Sequence, residues 1–423
     1  MDASQSADRP REECGVFGVY APGHDVSRLC YFALYALQHR GQESAGIAAA
    51  ELGGEIITRR ELGLVSQVFS ENDLRTLGGD LAIGHVRYST TGANAWENSQ
   101  PVQFFAGEDG ARRAVALGHN GNLTNSLELA ARLQERGVRL RSSSDSELIA
   151  ALLAANPAPT LEEAAAGAIG ELAGAFSVVA MANDRVVAFR DPQGFRPLVI
   201  GQLANGGVPA YCVASESCAL DIIGAELVRE VEPGEVVTLG RSGIDSLQTG
   251  RGREAFCIFE YIYFARPDSL MGGRRLQAVR GRMGEALWRE APVEADLVVA
   301  VPDSGNAAAR GLARASGLPQ DDGFVKNRYV ARTFIEPGEE LRRHGLRLKF
   351  NPIPEVVAGK RLVVVDDSIV RGNTTRQIVG MLKEAGAREV HLRISAPPIR
   401  HPCHYGIDMS TREEMIAHRR SVD

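Results

Sequence analysis

The sequence predicts two domains of different class: an α+β sandwich, then an α/β domain built on a parallel sheet. Three observations lead there. Up to about residue 250, short strand-like runs and turns are interrupted by a pair of helical stretches, which is an α+β order rather than a βαβ repeat. Beyond that point Val-rich runs alternate with helices, the pattern of strands covered on both faces. A chain of 423 residues also exceeds what one core usually holds.

The elements follow in order. Residues 1–13, MDASQSADRPREE, are polar and read as a leader. CGVFGVY alternates like a strand from Cys14, and residues 26–39 carry apolar side chains at helical spacing. GIAAAEL, EIITRREL, DLAIGHVRYS and AVALGHNGNL are strand-like, SDSELIAALLAA and LEEAAAGAIGELAGA helical, and FSVVAMAN, RVVAFRD, AYCVASE and GEVVTLG strand-like again. QTGRGRE reads as a linker. After it come the helix LQAVRGRMGEALWRE, the buried strand DLVVAVP, the helix NAAARGLARAS, the buried strand RLVVVDD, the helix TTRQIVGMLKEAG and the strand EVHLRIS. The expected domains are 14–250 and 251–423.

Composition narrows the function. A net charge of -6 disfavours non-specific nucleic-acid binding. No apolar run approaches the roughly 18 residues of a membrane span, and the leader lacks the apolar stretch of a secretory signal. Six cysteines without a C-x-x-C pair fit a reducing compartment, so a cytoplasmic location is expected.

RLVVVDDSIVRGNTT carries the most chemistry. A buried strand delivers Asp366 and Asp367 at its carboxyl end, the edge where open α/β sheets bind ligands. The loop Ser368–Thr375 is small and hydroxyl-rich and opens a helix, where backbone N–H groups favour an anion. Acids for ribose hydroxyls beside a phosphate cradle suit a sugar phosphate. A bare Val-Val-Asp-Asp would equally describe a strand end with solvated acids. Between Lys326 and Lys349 seven basic residues face three acidic ones, which suits a multiply charged leaving group but also a solvated loop.

In the first half, Cys14 is a candidate nucleophile that needs a base. Its own α-amine could serve, but only if Cys14 were the first residue of the mature chain. Arg87 stands beside hydroxyls, Asn120 and Gly121 in a tight turn, and Asp145 at a helix start, where it could equally be an N-cap.

Taken together these segments resemble the glutamine phosphoribosylpyrophosphate amidotransferase family. CGVFGVY, LQHRGQESAG, GHVRYST, HNGNL and SDSE occur in that family's order, as do VVAVPDSGNAAA, KNRYVARTF and DDSIVRG. The resemblance implies an N-terminal-nucleophile glutaminase domain, an αββα sandwich, followed by a phosphoribosyltransferase domain. It implies that Cys14 attacks the glutamine amide, that Asn120 and Gly121 donate to the oxyanion, and that Arg87 and Asp145 hold the α-carboxylate and α-ammonium. RDPQGFRPL matches as scaffolding near the glutamine pocket. Phosphoribosyl pyrophosphate falls to Asp366, Asp367, Ser368, Arg371, Gly372, Asn373, Thr374 and Thr375, with Lys326 on a mobile catalytic loop. Asn373 stands where the family usually has Thr. Magnesium falls to Ser304, Asp366 and Asp367. The resemblance further implies removal of the leader, feedback by purine nucleotides and a homotetramer.

Cys257 and Cys403 match two of four ligands in the family's iron–sulfur branch, whose other two lie in a C-terminal segment. Either the sequence is shortened or the 4Fe-4S cluster is lost. The expected activity is amidophosphoribosyl transfer: phosphoribosyl pyrophosphate, glutamine and water give phosphoribosylamine, glutamate and pyrophosphate. The rival is a regulator that binds phosphoribosyl pyrophosphate beside a vestigial amidase.

Overall fold

The computed structural model describes residues 14–88, 95–106, 113–204, 208, 210–327, 347–407 and 411–421. The leader, and residues 328–334 of the expected catalytic loop, lie outside the described residues.

The first half contains strands β1 (Gly15–Tyr20), β2 (Ser44–Ala50), β3 (Ile57–Leu62), β4 (Leu81–Arg87), β5 (Val102–Ala106), β6 (Arg113–Leu123), β7 (Gly174–Met181), β8 (Val186–Arg190), β9 (Val199–Leu203), β10 (Tyr211–Ala214), β11 (Ala225–Glu230), β12 (Glu235–Gly240) and β13 (Gly243–Gln248). They form two antiparallel sheets, ordered β11-β9-β10-β1-β4-β2-β3 and β13-β12-β8-β7-β6-β5. Strand β1 shows how sequence sets the layers. Its even positions Val16 and Tyr20 enter the core between the sheets with Ile83, Val179 and Val213. Its odd positions Phe17 and Val19 face outward under helix Val26–Ala36, with Cys30, Leu34 and Leu37. The period-2 alternation thus feeds two apolar layers at once. Helices Ser126–Glu135, Asp145–Ala155 and Leu161–Ile169 cover the other sheet, giving four layers, αββα.

Two local expectations are adjusted. The helix read as running through LEEAAAGAIGELAGA ends at Ile169, and Gly174 (φ 134) already opens β7. Glycine reaches that backbone conformation without a Cβ penalty, so it punctuates the apolar run. The QTGRGRE segment is tied down: Gly252 N–H donates to the Pro192 carbonyl at 2.8 Å and Ala255 N–H to that of Gln193 at 3.0 Å.

In the second half a two-residue hairpin pairs β14 (Leu270–Met271) with β15 (Arg274–Arg275). Then follow β16 (Leu297–Ala300), β17 (Phe324–Lys326), β18 (Phe350–Pro352), β19 (Arg361–Asp366) and β20 (Glu389–Ile394). Strands β16, β19 and β20 form a parallel sheet with β19 central. Val299, Leu362 and Val364 pack on one face with Ile378 and Leu382 of helix Asn373–Glu384. Val298, Val363 and Val365 pack on the other with Ala308 and Leu312 of helix Asn306–Ser316. Burial on both faces explains the unbroken Val runs.

Candidate active sites

The first site lies where β1 begins and β4 ends. Gly15 pairs with Val86, so Cys14 stands beside the end of β4. Cys14 is buried, and its thiol donates to the Tyr88 carbonyl at 3.4 Å. Arg87 is buried too, with Nη1 3.7 Å from the Glu43 carboxylate. Strand β6 of the opposite sheet packs across β1 and β4 and brings in Asn120 and Gly121. One cross-sheet bond fixes that juncture: His85 Nε2 of β4 donates to the His119 carbonyl of β6 at 3.0 Å.

Asn120 is fully buried, and neither its side-chain Oδ1 nor its Nδ2 has a hydrogen-bond partner among the described residues. An unmet buried amide is costly unless something else satisfies it. Gly121 follows at φ 143, and a Cβ there would meet the Ala175 carbonyl oxygen at 1.9 Å. Only glycine fits, which fixes the backbone beside Asn120.

Asp145 is the first residue of helix Asp145–Ala155, not its N-cap; Ser144 holds that place and accepts from the Ser146 N–H. Asp145 is therefore free to reach inward. It accepts from the Leu123 N–H at 3.1 Å and lies 3.7 Å from His119 Nδ1. Burial pushes its pKa up, but His119 and the backbone bonds from Leu123 and Ser146 outweigh that and hold it below the usual carboxylate range. It stays an anion at neutral pH.

The second site forms at the carboxyl ends of β16 and β19. Val301 N–H donates to the Val365 carbonyl at 2.9 Å, and Gly305 packs on the same carbonyl, so the turn holding Asp303 and Ser304 lies beside Asp366. Asp366 and Asp367 are 2% and 1% exposed, which excludes a solvated strand end. Asp366 Oδ1 accepts from the Asp367 N–H at 2.9 Å, and Asp367 Oδ1 from the Ser368 N–H at 2.6 Å. Gly372, at φ 82, turns the loop into helix Asn373–Glu384, placing Asn373, Thr374 and Thr375 in its first turn. Lys326 ends β17 and reaches Asp303 at 2.5 Å, so it belongs to this site. Arg371 is paired with Glu414 at 3.0 Å, an anchor between the loop and the segment that follows it in the fold.

The sites adjoin. Gly406, at φ 106, packs against the carbonyl group of Gly121; Asn122 Nδ2 donates to the His404 carbonyl at 3.0 Å; Arg196 of the RDPQGFRPL segment donates to the Tyr405 carbonyl. Phe195 stacks on Tyr405 at 4.6 Å. Cys257 and Cys403 both pack on the cluster of Phe259, Phe264, Ile399 and Met415. Among the described residues no three His, Cys, Asp or Glu side chains group to hold a metal ion. The remaining cysteines Cys30, Cys212 and Cys218 are buried, as expected of small hydrophobes.

Arg40, Glu216, Glu260, Arg280, His85 and His119 were not singled out from the sequence. Arg40 lies in LQHRGQESAG, His85 in GHVRYST, His119 in GHNGNL and Glu260 in FCIFEYIYFARPDS around Cys257, and those strings are the available signal; nothing local marks Arg280.

Fold and candidate sites define a bifunctional class: a glutamine amidotransferase sandwich joined to a phosphoribosyltransferase-type sheet. The family described as glutamine amidotransferase domain matches residues 85–221. An amidophosphoribosyltransferase of Mycobacterium tuberculosis is 52% identical over 419 residues, covering 98% of this chain and 78% of the relative. Another, from Synechococcus elongatus, is 49% identical, covering 98% and 84%. The solved glutamine phosphoribosylpyrophosphate amidotransferase of B. subtilis, complexed with ADP and GMP, aligns at TM-score 0.89 and 45% identity over 97% of this chain and 87% of that one. The chain belongs to the amidophosphoribosyltransferase family. It is a glycosyltransferase with glutamine amidotransferase activity, in purine biosynthesis.

Proposed function

We propose that glutamine is deamidated at Cys14 and that its nitrogen displaces pyrophosphate at the Asp366–Asp367 site. Cys14 Sγ attacks the side-chain carbonyl carbon of glutamine. Ammonia leaves, and water then cleaves the thioester to release glutamate and restore the thiol. Asn120 Nδ2 and the Gly121 N–H donate to the developing oxyanion. Arg87 holds the α-carboxylate and Asp145, an anion in this environment, the α-ammonium. The Cys14 α-amine is the base once the leader is removed; while Glu13 is attached that nitrogen is an amide. The observation that carries the reading is the buried amide of Asn120, unpartnered among the described residues, on a strand that packs across β1 and β4.

At the second site Asp366 and Asp367 take the ribose hydroxyls, and Ser368 with the loop Arg371–Thr375 takes the 5-phosphate. Lys326 exchanges Asp303 for the leaving pyrophosphate. Magnesium fits here, because this ion is commonly held by one or two carboxylates with substrate phosphates completing its shell. Asp366, Asp367 and Ser304 would hold it, and it would neutralise charge on the departing group. Tyr405 and Gly406, which pack on Arg196 and Gly121 beside the first site, would screen ammonia from solvent. We assign domains 14–250 and 251–423 to the two half-reactions. The proposal includes a homotetramer inhibited by purine nucleotides; the ADP and GMP complex of the B. subtilis relative supports nucleotide binding. No helix of the described residues is long and apolar enough to cross a membrane.

The test is Cys14→Ala. It is expected to abolish glutamine-dependent product and glutaminase activity while ammonium salts still support phosphoribosylamine synthesis. Retained glutamine use refutes the assignment, and loss of turnover with ammonia refutes separate sites.

A further inference from the structure

Arg40 is a fully buried guanidinium whose fork is filled from both halves of the chain. Its Nε donates to the Cys14 carbonyl at 3.0 Å. Nη1 donates to Glu216 at 2.6 Å and to Glu260 at 3.0 Å, and Nη2 to Glu260 at 2.7 Å. Glu216 precedes helix Ser217–Ile222; its carboxylate also accepts from Ser269 Oγ at 2.6 Å and from the Arg266 N–H at 2.9 Å. Glu260 begins the single π-helical turn Glu260–Phe264. Buried Arg280 braces that turn, donating to the carbonyls of Tyr261 at 2.7 Å and Ala265 at 2.6 Å.

The Cys14 carbonyl carbon is bonded to the Cα that carries both the thiol-bearing Cβ and the α-nitrogen. Holding that carbonyl therefore aims nucleophile and base together. A planar guanidinium gripped bidentately by Glu260 cannot rotate without breaking two charge-assisted bonds. Glu216 engages a single arm of the fork and leaves it free to pivot.

We infer that Glu260, from the second half, is a positioning residue for the glutaminase nucleophile, acting through Arg40 on the backbone of Cys14. This rests on the reading of Cys14 as nucleophile. The glutaminase site is then completed only when the second half is docked, although Glu260 touches no substrate.

The experiment uses the full-length protein with Glu260→Gln, which keeps an acceptor but loses the bidentate grip, and with Arg40→Lys, which keeps the charge but loses the fork. Both are assayed with glutamine and with ammonium chloride as nitrogen donor. Each variant is expected to lower kcat for glutamine roughly 10- to 100-fold. KM for glutamine and the ammonia-dependent rate are expected to stay within about threefold, since neither substrate contact nor the sugar site is touched. Alkylation of Cys14 by a diazoketone analogue of glutamine should slow by the same factor as kcat. Adding Glu260→Gln to Arg40→Lys should cost no more than Arg40→Lys alone. Unchanged glutamine kcat in either folded variant overturns the inference. So does an equal loss of the ammonia reaction, or additive costs in the double variant. If one single variant does not fold, the other decides by the same readings. If Cys14→Ala keeps glutamine use, the underlying reading fails instead.

Discussion

His85 makes the glutaminase half acid-labile by an amount that can be worked out. The side chain is fully buried on β4 and donates from Nε2 to the His119 carbonyl, while Nδ1 has no partner among the described residues. Burial pushes its pKa down from the ordinary 6.5 to about 3, and the charges of Arg87 and His119 push the same way. In the unfolded chain the ring takes a proton below about pH 6.5; in the folded chain it does not until about pH 3. The unfolded state therefore binds more protons, and stability falls as pH falls across that window. At about 1.4 kcal/mol per unit, moving from pH 6.5 to about pH 5 removes on the order of 2 kcal/mol. The comparison is His85→Gln, which can still donate to the carbonyl but does not titrate. Urea unfolding, followed by tryptophan fluorescence and circular dichroism at about pH 7.5 and pH 5, should show the wild type losing about 2 kcal/mol more than the variant. All other titrating groups cancel in that difference. Parallel losses would refute the reasoning, as would imidazole resonances showing a charged His85 in the folded protein at pH 5.

Three further outcomes are expected. Gly406→Ala places a methyl 3.1 Å from Arg196 Nη2 and 3.2 Å from the Gly121 carbonyl carbon, at a φ that disfavours any side chain; glutamine-dependent synthesis should fall about tenfold or more, measured against an ammonia-dependent rate that falls less. Asp145→Asn removes the charge proposed to hold the α-ammonium, so KM for glutamine should rise roughly 10- to 100-fold in steady-state kinetics, the worth of one charged hydrogen bond. Asp366→Asn with Asp367→Asn should end product formation from both nitrogen donors, measured as pyrophosphate release; unchanged turnover would count against the strand-end site.

Much of the fold was legible because its cause is local. The switch from strand runs with paired helices to Val-rich strands alternating with helices follows from which faces are covered, and side-chain period records that directly. The strand end and helix start of the proposed phosphoribosyl loop were legible for the same reason: Asp366 through Thr375 are contiguous, so one stretch of sequence carries both. Cys14, Arg87, Asn120 and Asp145 were legible only as separate short motifs. Their order in the chain says nothing of distance, since Asn120 belongs to one sheet and Cys14 precedes the first strand of the other.

What the sequence alone determined were the two fold types, the strand-end acids and the identity of the candidate nucleophile. Each depends on residues within one or two turns or strands of each other. Only the tertiary structure decided the rest. It put Ser144 rather than Asp145 at the helix cap, filled the Arg40 fork with Glu216 and Glu260, and laid Gly406 on Gly121. A buried charge selects its partners by three-dimensional proximity in a weakly screened interior, and residues 40, 216 and 260 acquire that proximity only once both halves have packed.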